Sequence, residues 1–298
     1  MLGKVSNSMV CALPHPASLC TWSRMTVLTH SEQHIPVPCI HPALAAIRLG
    51  SPWMMTCSLE QQEGQLIACA GLDNTCSLYS RSNAAIQANR PLQKLALHDG
   101  YISCCTFLSP ASLVTASGDT RCIVWDVEVG MPRRIFSEHH GDVLSICRHP
   151  TNDQLFISGS SDRSVKLWDC RQARRVQSIT CHAADVNCVT YSGSGQAIAS
   201  ASDDGKASLL DVRYVGEIDR YGSGTSSISC VAFSKSARML FLGTDVPEIQ
   251  VWDTLQPQPA KHAYSLRSHT MDVTDVKLAP NGYALASTSH DATICIHA

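Results

Sequence analysis

SLVTASGDTRCIVWD, residues 112–126, decides the fold. An apolar run of strand length, 112–117, meets the turn Gly118-Asp119-Thr120, and a second run, 122–127, follows at once. Short β-branched and aromatic runs bounded by Gly, Asp and Ser turns are the marks of a β-hairpin. The run 102–108 (ISCCTFL) precedes this hairpin and 133–138 (RRIFSE) follows it, so the unit holds four short strands. Within it an aromatic lies six residues after the turn Asp, and the same pairing recurs along the chain. Asp73 leads to Tyr79, Asp119 to Trp125 and Asp162 to Trp168. Later copies decay to Asp204 and Leu210, to Val246 and Trp252, and to Asp291 and His297. A unit repeated every forty-odd residues defines a repeat architecture. No long apolar stripe of helical period interrupts residues 47–298, so the class is all-β.

A second signal runs with the first. His98, His139, His182 and His269 stand 21 to 23 residues before a turn Asp, and three residues beyond them come Tyr101, Asp142, Asp185 and Asp272. Ser51 and Gly224 hold the matching places in copies one and five. A His–hydroxyl–Asp set found in several copies at a fixed period is a structural device, whereas a catalytic triad occurs once. Gly222-Ser223-Gly224-Thr225 has no Lys and precedes a strand, so it is no phosphate loop. No catalytic residue, metal site or cofactor is expected, and the chain is read as a non-enzyme.

The net charge is −2, which gives no electrostatic case for nucleic acid or an anionic membrane. No run approaches the length of a transmembrane helix. Of fifteen cysteines, Cys57, Cys104, Cys122, Cys147, Cys188, Cys230 and Cys295 fall inside apolar strand runs, where a free thiol packs as a small hydrophobe. No C-x-x-C pair occurs, and a reduced cytoplasmic protein is expected. Residues 1–46 carry Pro14, Pro16, Pro36, Pro38 and Pro42 with no strand period, and are read as an irregular or disordered segment ahead of a domain at 47–298.

The combination of His, strand hydroxyl, Asp and Trp resembles the WD40 repeat, whose β-propeller blades are four-stranded sheets. Six repeats are recognisable, giving either a closed six-blade ring or a seven-blade ring with one blade absent. The resemblance implies a hydrogen-bonded chain inside each blade. In copy two Asp119 would accept from His98, whose far nitrogen would reach Ser117 or Thr115, and that hydroxyl would meet Trp125. The same structural role falls on His139, Asp162 and Trp168, on His182 and Asp204, on Trp252, and on His269 and Asp291. A final blade ending at the C-terminus needs an outer strand from elsewhere, and residues 44–49 (LAAIRL) are the candidate.

Several strings narrow the family. SPWMMTC (51–57), GLDNTCSLY (71–79), HDGYISCCTF (98–107), FISGSSDRSVKLWD (156–169) and ASASDD (199–204) resemble heterotrimeric G-protein β subunits from about residue 47 onward. That resemblance implies a non-catalytic signalling subunit whose loop face receives the switch region of a GDP-bound Gα subunit, with Gγ and effectors as further partners. Such partners would carry it to the inner face of the plasma membrane. Matched motif by motif, the Gα contacts fall on Trp53, Met55, Leu72, Asn74, Tyr101, Asp142, Asp185 and Asp203. An aromatic with Met and Leu beside it, ringed by carboxylates, is the composition of an apolar hot spot with a polar rim. The chain departs from that family in three ways: the N-terminal helix and the first blade have no counterpart, His290 and His297 replace Trp, and Val246 replaces a tetrad Asp. A general WD40 scaffold or adaptor, of the kinase-receptor or ubiquitin-ligase type, is the alternative.

Overall fold

The structure, a computed structural model, describes residues 8–12, 54–60, 64–80, 91–172, 175–214, 216–256 and 262–297. Every regular element among them is a strand. Strand β1 spans Ser8–Ala12. Sheet one then holds β2 (Met54–Leu59), β3 (Leu66–Gly71), β4 (Thr75–Ser80) and β5 (Gln93–Ala96). Sheet two holds β6 (Ile102–Ser109), β7 (Ser112–Ser117), β8 (Cys122–Asp126) and β9 (Pro132–Phe136). Sheet three comprises β10 (Val143–Arg148), β11 (Leu155–Ser160), β12 (Ser164–Asp169) and β13 (Arg175–Thr180). Sheet four comprises β14 (Val186–Tyr191), β15 (Ala197–Ser202), β16 (Ala207–Asp211) and β17 (Gly216–Tyr221). Sheet five is β18 (Ile228–Phe233), β19 (Met239–Thr244), β20 (Ile249–Asp253) and β21 (His262–Leu266). The sixth begins with β22 (Val273–Leu278), β23 (Leu285–Ser289) and β24 (Thr293–His297).

Each sheet is an antiparallel meander of four strands, and the six together form a six-blade propeller arrangement. The first strand of each sheet is innermost: β2 packs on β6, β6 on β10, β10 on β14, β14 on β18, and β18 on β22. Burial follows position. The second and third strands of sheets two to four are almost wholly buried, because other sheets cover both of their faces. The outer strands β13 and β17 alternate with solvent instead. A core of Leu, Ile, Val, Phe and Trp side chains fills the spaces between sheets, as in the cluster joining Ala68, Leu78 and Leu95 of sheet one to Phe107, Leu113 and Trp125 of sheet two.

The innermost strand of all six sheets carries one bulge near its start, at Met54/Thr56, Ile102/Cys104, Val143/Ser145, Val186/Cys188, Ile228/Cys230 and Val273/Asp275. A bulge re-aims the extra side chain, and in sheets two, four and five it points across the junction. The Ser103 hydroxyl donates to the Val143 carbonyl, Asn187 Nδ2 donates to Ile228 O at 3.1 Å, and Ser229 Oγ donates to Val273 O at 2.5 Å. Thr274, at the same place in sheet six, instead meets Thr288 of its own sheet at 2.8 Å. Among the described residues β22 and β2 do not pack as the other five inner pairs do. One face of β2 is correspondingly open, with Met55, Cys57 and Leu59 exposed. The sequence reading of Cys57 as a buried strand hydrophobe is therefore corrected.

The outer strand of sheet six is β1, antiparallel to β24, with Ser8 opposite His297 and Ala12 opposite Thr293. Residues 44–49, the sequence candidate for that position, lie outside the described residues. A five-residue strand without the turn signals of a repeat leaves no mark on a period of forty-odd positions, which is why β1 goes unread inside a segment classed as irregular.

Candidate interaction rim and its supporting tetrads

In a four-stranded meander, the loop entering the inner strand and the hairpin turn between strands two and three lie at the same end of the sheet. This arithmetic places the His-containing loops and the Asp turns together. Backbone bonds tie them: Gly118 N donates to Tyr101 O, Ser161 N to Asp142 O, Asp203 N to Asp185 O, Asp245 N to Ser227 O and His290 N to Asp272 O, at 2.9–3.1 Å.

Each turn Asp stabilises its turn from within. The backbone N–H two residues on donates to Asp119, Asp162, Asp204 and Asp291 at 2.9–3.0 Å. The residue between them takes positive φ: Thr120 at 70°, Arg163 at 68°, Gly205 at 73° and Ala292 at 61°. Glycine adopts that region without steric cost, so of these four only Gly205 is unstrained there.

Beneath the turns lie the tetrads. His98 Nδ1 is 2.8 Å from Asp119, His98 Nε2 is 2.7 Å from Thr115 Oγ1, and the Trp125 indole donates to that same hydroxyl at 2.9 Å. In sheet three His139 joins Asp162 at 2.7 Å and Ser158 at 2.6 Å, and Trp168 donates to Ser158 at 2.8 Å. His182 bridges Asp204 and Ser200, and His269 bridges Asp291 and Ser287. One proton arrangement satisfies each full set: indole N–H to hydroxyl oxygen, hydroxyl to His Nε2, His Nδ1–H to carboxylate. Buried polar groups demand such pairing.

The hydroxyl in sheet two is Thr115, so Ser117 leaves the tetrad. Ser117 sits at the strand end, donates to Gly100 O and accepts from Asp119 N, both at 3.1 Å. The hydroxyl follows a fixed spacing, four residues before the Asp and ten before the position of the aromatic: Thr115, one of the two sequence candidates in sheet two, and Ser158, Ser200 and Ser287, for which the sequence reading named no residue. The same count falls on Leu242 in sheet five. No hydroxyl is available there, and the Trp252 indole donates to Gln250 Oε1 at 3.3 Å instead. Trp252 is therefore half-buried and outside any tetrad. In sheet four, buried Leu210 stands where the indole would be; in sheet six His297 Nε2 approaches Ser287 at 3.1 Å.

Protonation follows from this wiring. Burial holds the imidazoles of His98, His139 and His182 below their ordinary range, outweighing the carboxylate beside each. Burial alone would raise the Asp119 and Asp162 carboxyls, but the His ring and backbone N–H groups together hold them below the usual range. A folded-state pKa below the unfolded one means that the unfolded chain binds more protons as pH falls. Stability is thus complete above about pH 6.5, the unfolded His value, and declines as acid approaches the folded values, with the carboxylates adding to the loss below about pH 4. The thermal midpoint followed by circular dichroism is expected to fall between pH 7.5 and pH 5. A midpoint unchanged across that interval would show these imidazoles to be freely protonated.

Above the tetrads the rim residues sit as follows. Met55 is 53% exposed and Leu72 48%. Asn74, at φ 59°, donates to Asp99 O at 3.4 Å, linking sheets one and two. Tyr101 is half-buried and donates its hydroxyl to Asp142 at 2.8 Å, linking sheets two and three. Burial, with Asp142 adding to it, pushes the Tyr101 phenol up to about 12, so it stays a neutral donor. Exposed Asp203 accepts from Asn187 at 2.6 Å and from Ser227, linking sheets four and five. Asp185 is half-buried at the mouth of sheet four. Trp53 lies outside the described residues.

This is the architecture of a WD40 propeller. The family profile described as "G protein beta WD-40 repeat protein" matches residues 39–298. A "Guanine nucleotide-binding protein subunit beta" of Oryza sativa subsp. japonica is 37% identical over 271 residues, covering 85% of this chain and 71% of the relative. Proteins of the same description from Solanum tuberosum and Zea mays are each 35% identical with the same coverage. The chain belongs to the G-protein β WD40 repeat family and is a non-catalytic member of it. No helix among the described residues is long and apolar enough to cross a membrane.

Proposed function

We propose that this chain is a G-protein-β-like signalling subunit that binds a Gα subunit through the rim formed by the His loops and Asp turns. The observation that carries the reading is the rim itself. Exposed Met55 and Leu72 stand at the same end of the blades as Tyr101, Asp142, Asp185 and Asp203, and Tyr101–Asp142 fixes the aromatic across a sheet junction. Trp53, one residue ahead of β2, supplies the anchor. Apolar anchors ringed by carboxylates suit a partner with an apolar knob and basic neighbours, the carboxylates steering the approach. Gγ and effectors are further partners in this reading, and through them the protein works at the cytoplasmic face of the plasma membrane.

The test is capture by GDP-loaded Gα, comparing the wild-type chain with Trp53→Ala and with a control, Tyr283→Ala. Tyr283 is strongly exposed but lies between β22 and β23, at the opposite end of the blades. Loss of an interface anchor costs about 2–4 kcal/mol, roughly a 30- to 1,000-fold weaker Kd. Equal capture of both variants would remove this rim as the Gα site.

A further inference from the structure

Sheet one departs from the other blades at the tetrad. The spacing that gives Thr115, Ser158, Ser200 and Ser287 gives Cys69 here, four residues before Asp73 and ten before Tyr79. The hydroxyl is replaced by a thiol. The residue directly opposite Cys69 across the β2–β3 ladder is a second thiol, Cys57. The matching pairs in sheets two and three are Cys105 with Thr115 and Ile146 with Ser158, both covered by a preceding sheet. In sheet one the same face is the open one, so Cys57 is exposed while Cys69 beneath it is buried.

We propose that Cys57 and Cys69 form a peroxide-reactive thiol pair that closes to a cross-strand disulfide. Cys57 is the attacking thiol, because it alone reaches solvent. The Cys69 thiol hydrogen-bonds to it and, against the opposing effect of burial, brings the Cys57 pKa down to about 7, so thiolate is present at neutral pH. Cys104 and Cys122 are inert by comparison: burial pushes the Cys104 thiol up to about 11 and the Cys122 thiol higher still. Reactivity follows thiolate and access together.

The chemistry balances with a hydroperoxide as oxidant. The Cys57 thiolate attacks the outer oxygen, the S–O bond forms, the O–O bond breaks, and the departing alkoxide or hydroxide takes a proton. Cys57 is then a sulfenic acid. The Cys69 sulfur attacks the Cys57 sulfur, the S–S bond forms and the S–O bond breaks. The hydroxide released leaves as water with the Cys69 proton. Two thiols lose two electrons and the hydroperoxide gains them. Opposed residues in a ladder hold their Cβ atoms about 4.5–5.5 Å apart, and a disulfide needs about 3.5–4.5 Å. The strand must therefore shift slightly, and β2 has a free face along which to do so.

The experiment is treatment of the full chain with hydrogen peroxide at pH 7.5, followed by alkylation and peptide mapping by mass spectrometry. The expected product links Cys57 to Cys69 with the loss of two hydrogens. Without oxidant, Cys57 should alkylate at least about tenfold faster than Cys104. Cys57→Ser, an exposed and nearly isosteric change, should fold normally by circular dichroism and give no cross-link. In Cys69→Ser the oxidised Cys57 should persist as a sulfenic acid trapped by dimedone. A Cys57 that oxidises in the wild type without joining Cys69, a disulfide to any other cysteine, or a Cys57 no faster than Cys104 would each overturn the proposal.

Discussion

Trp168→Ala is expected to destabilise the protein by about 3–5 kcal/mol, the cost of emptying a large aromatic site in a packed core. The side chain is fully buried. It stacks on Phe156 with ring centroids 6.1 Å apart and tilts against Phe136 of sheet two at 5.1 Å, so it joins two blades. Its indole also donates to Ser158, the hydroxyl that faces His139. Alanine therefore opens a cavity between sheets and removes one end of a buried polar chain. For a domain of this size the thermal midpoint should fall by roughly 6–20 °C. Trp252→Ala is the internal control. That indole is half-buried and donates to Gln250, and among the described residues it has no His–Asp pair beneath it, so its loss should be smaller. Equal losses for the two variants would mean that the tetrad and its burial contribute nothing beyond ordinary packing.

The second large effect is expected from Gly159→Val. A Cβ placed on Gly159 would come within 2.8 Å of Val186 Cγ1 and 2.9 Å of Val189 Cγ1. Both valines belong to β14, so the missing side chain is what lets sheet three approach sheet four. Gly243 plays the same part between sheets five and six, where an added Cβ would lie 2.9 Å from Val273. Overpacking of this kind costs about 1–3 kcal/mol, and a branched side chain belongs at the upper end. Gly193→Ala is the comparison: its nearest neighbour, Lys235 O, is at 3.6 Å, and the change should stay within about 0.5 kcal/mol. Urea midpoints for the two variants measure the difference. A Gly159→Val midpoint matching that of Gly193→Ala would show that the sheets are not held at the spacing described.

The repeat was legible because two short signals, Asp to aromatic and His to Asp, recur in register with a strand hairpin. The blades, and the His–Asp pairing in four of them, could be read without coordinates. The sequence leaves the tetrad hydroxyl open between Ser117 and Thr115, because both lie two residues apart on one face of the strand, and the coordinates select Thr115. Trp252 matched the pattern by spacing, yet the decisive residue was Leu242, which offers the indole no acceptor. The exposure of Cys57 could not be read at all: its strand is apolar, and whether a strand is covered depends on what packs on it. Membership of the rim, by contrast, was largely a matter of topology, since alternate connections of a meander must share an end. What each rim side chain bonds to, such as Tyr101 reaching Asp142, needed the coordinates.

The pairing of β1 with β24 ties the order of synthesis to the order of folding. The two strands are nearly the whole chain apart, so this ladder closes a very large loop, and non-local pairing of that kind is slow. Sheets two to five can each assemble from about forty consecutive residues as they leave the ribosome. The sixth cannot be completed until β24 emerges and finds β1, a partner made long before it. Until then both edges stand unpaired, and an unpaired edge is a template for another chain. Ser8–Ala12 is therefore the segment that waits longest in translation for its partner strand.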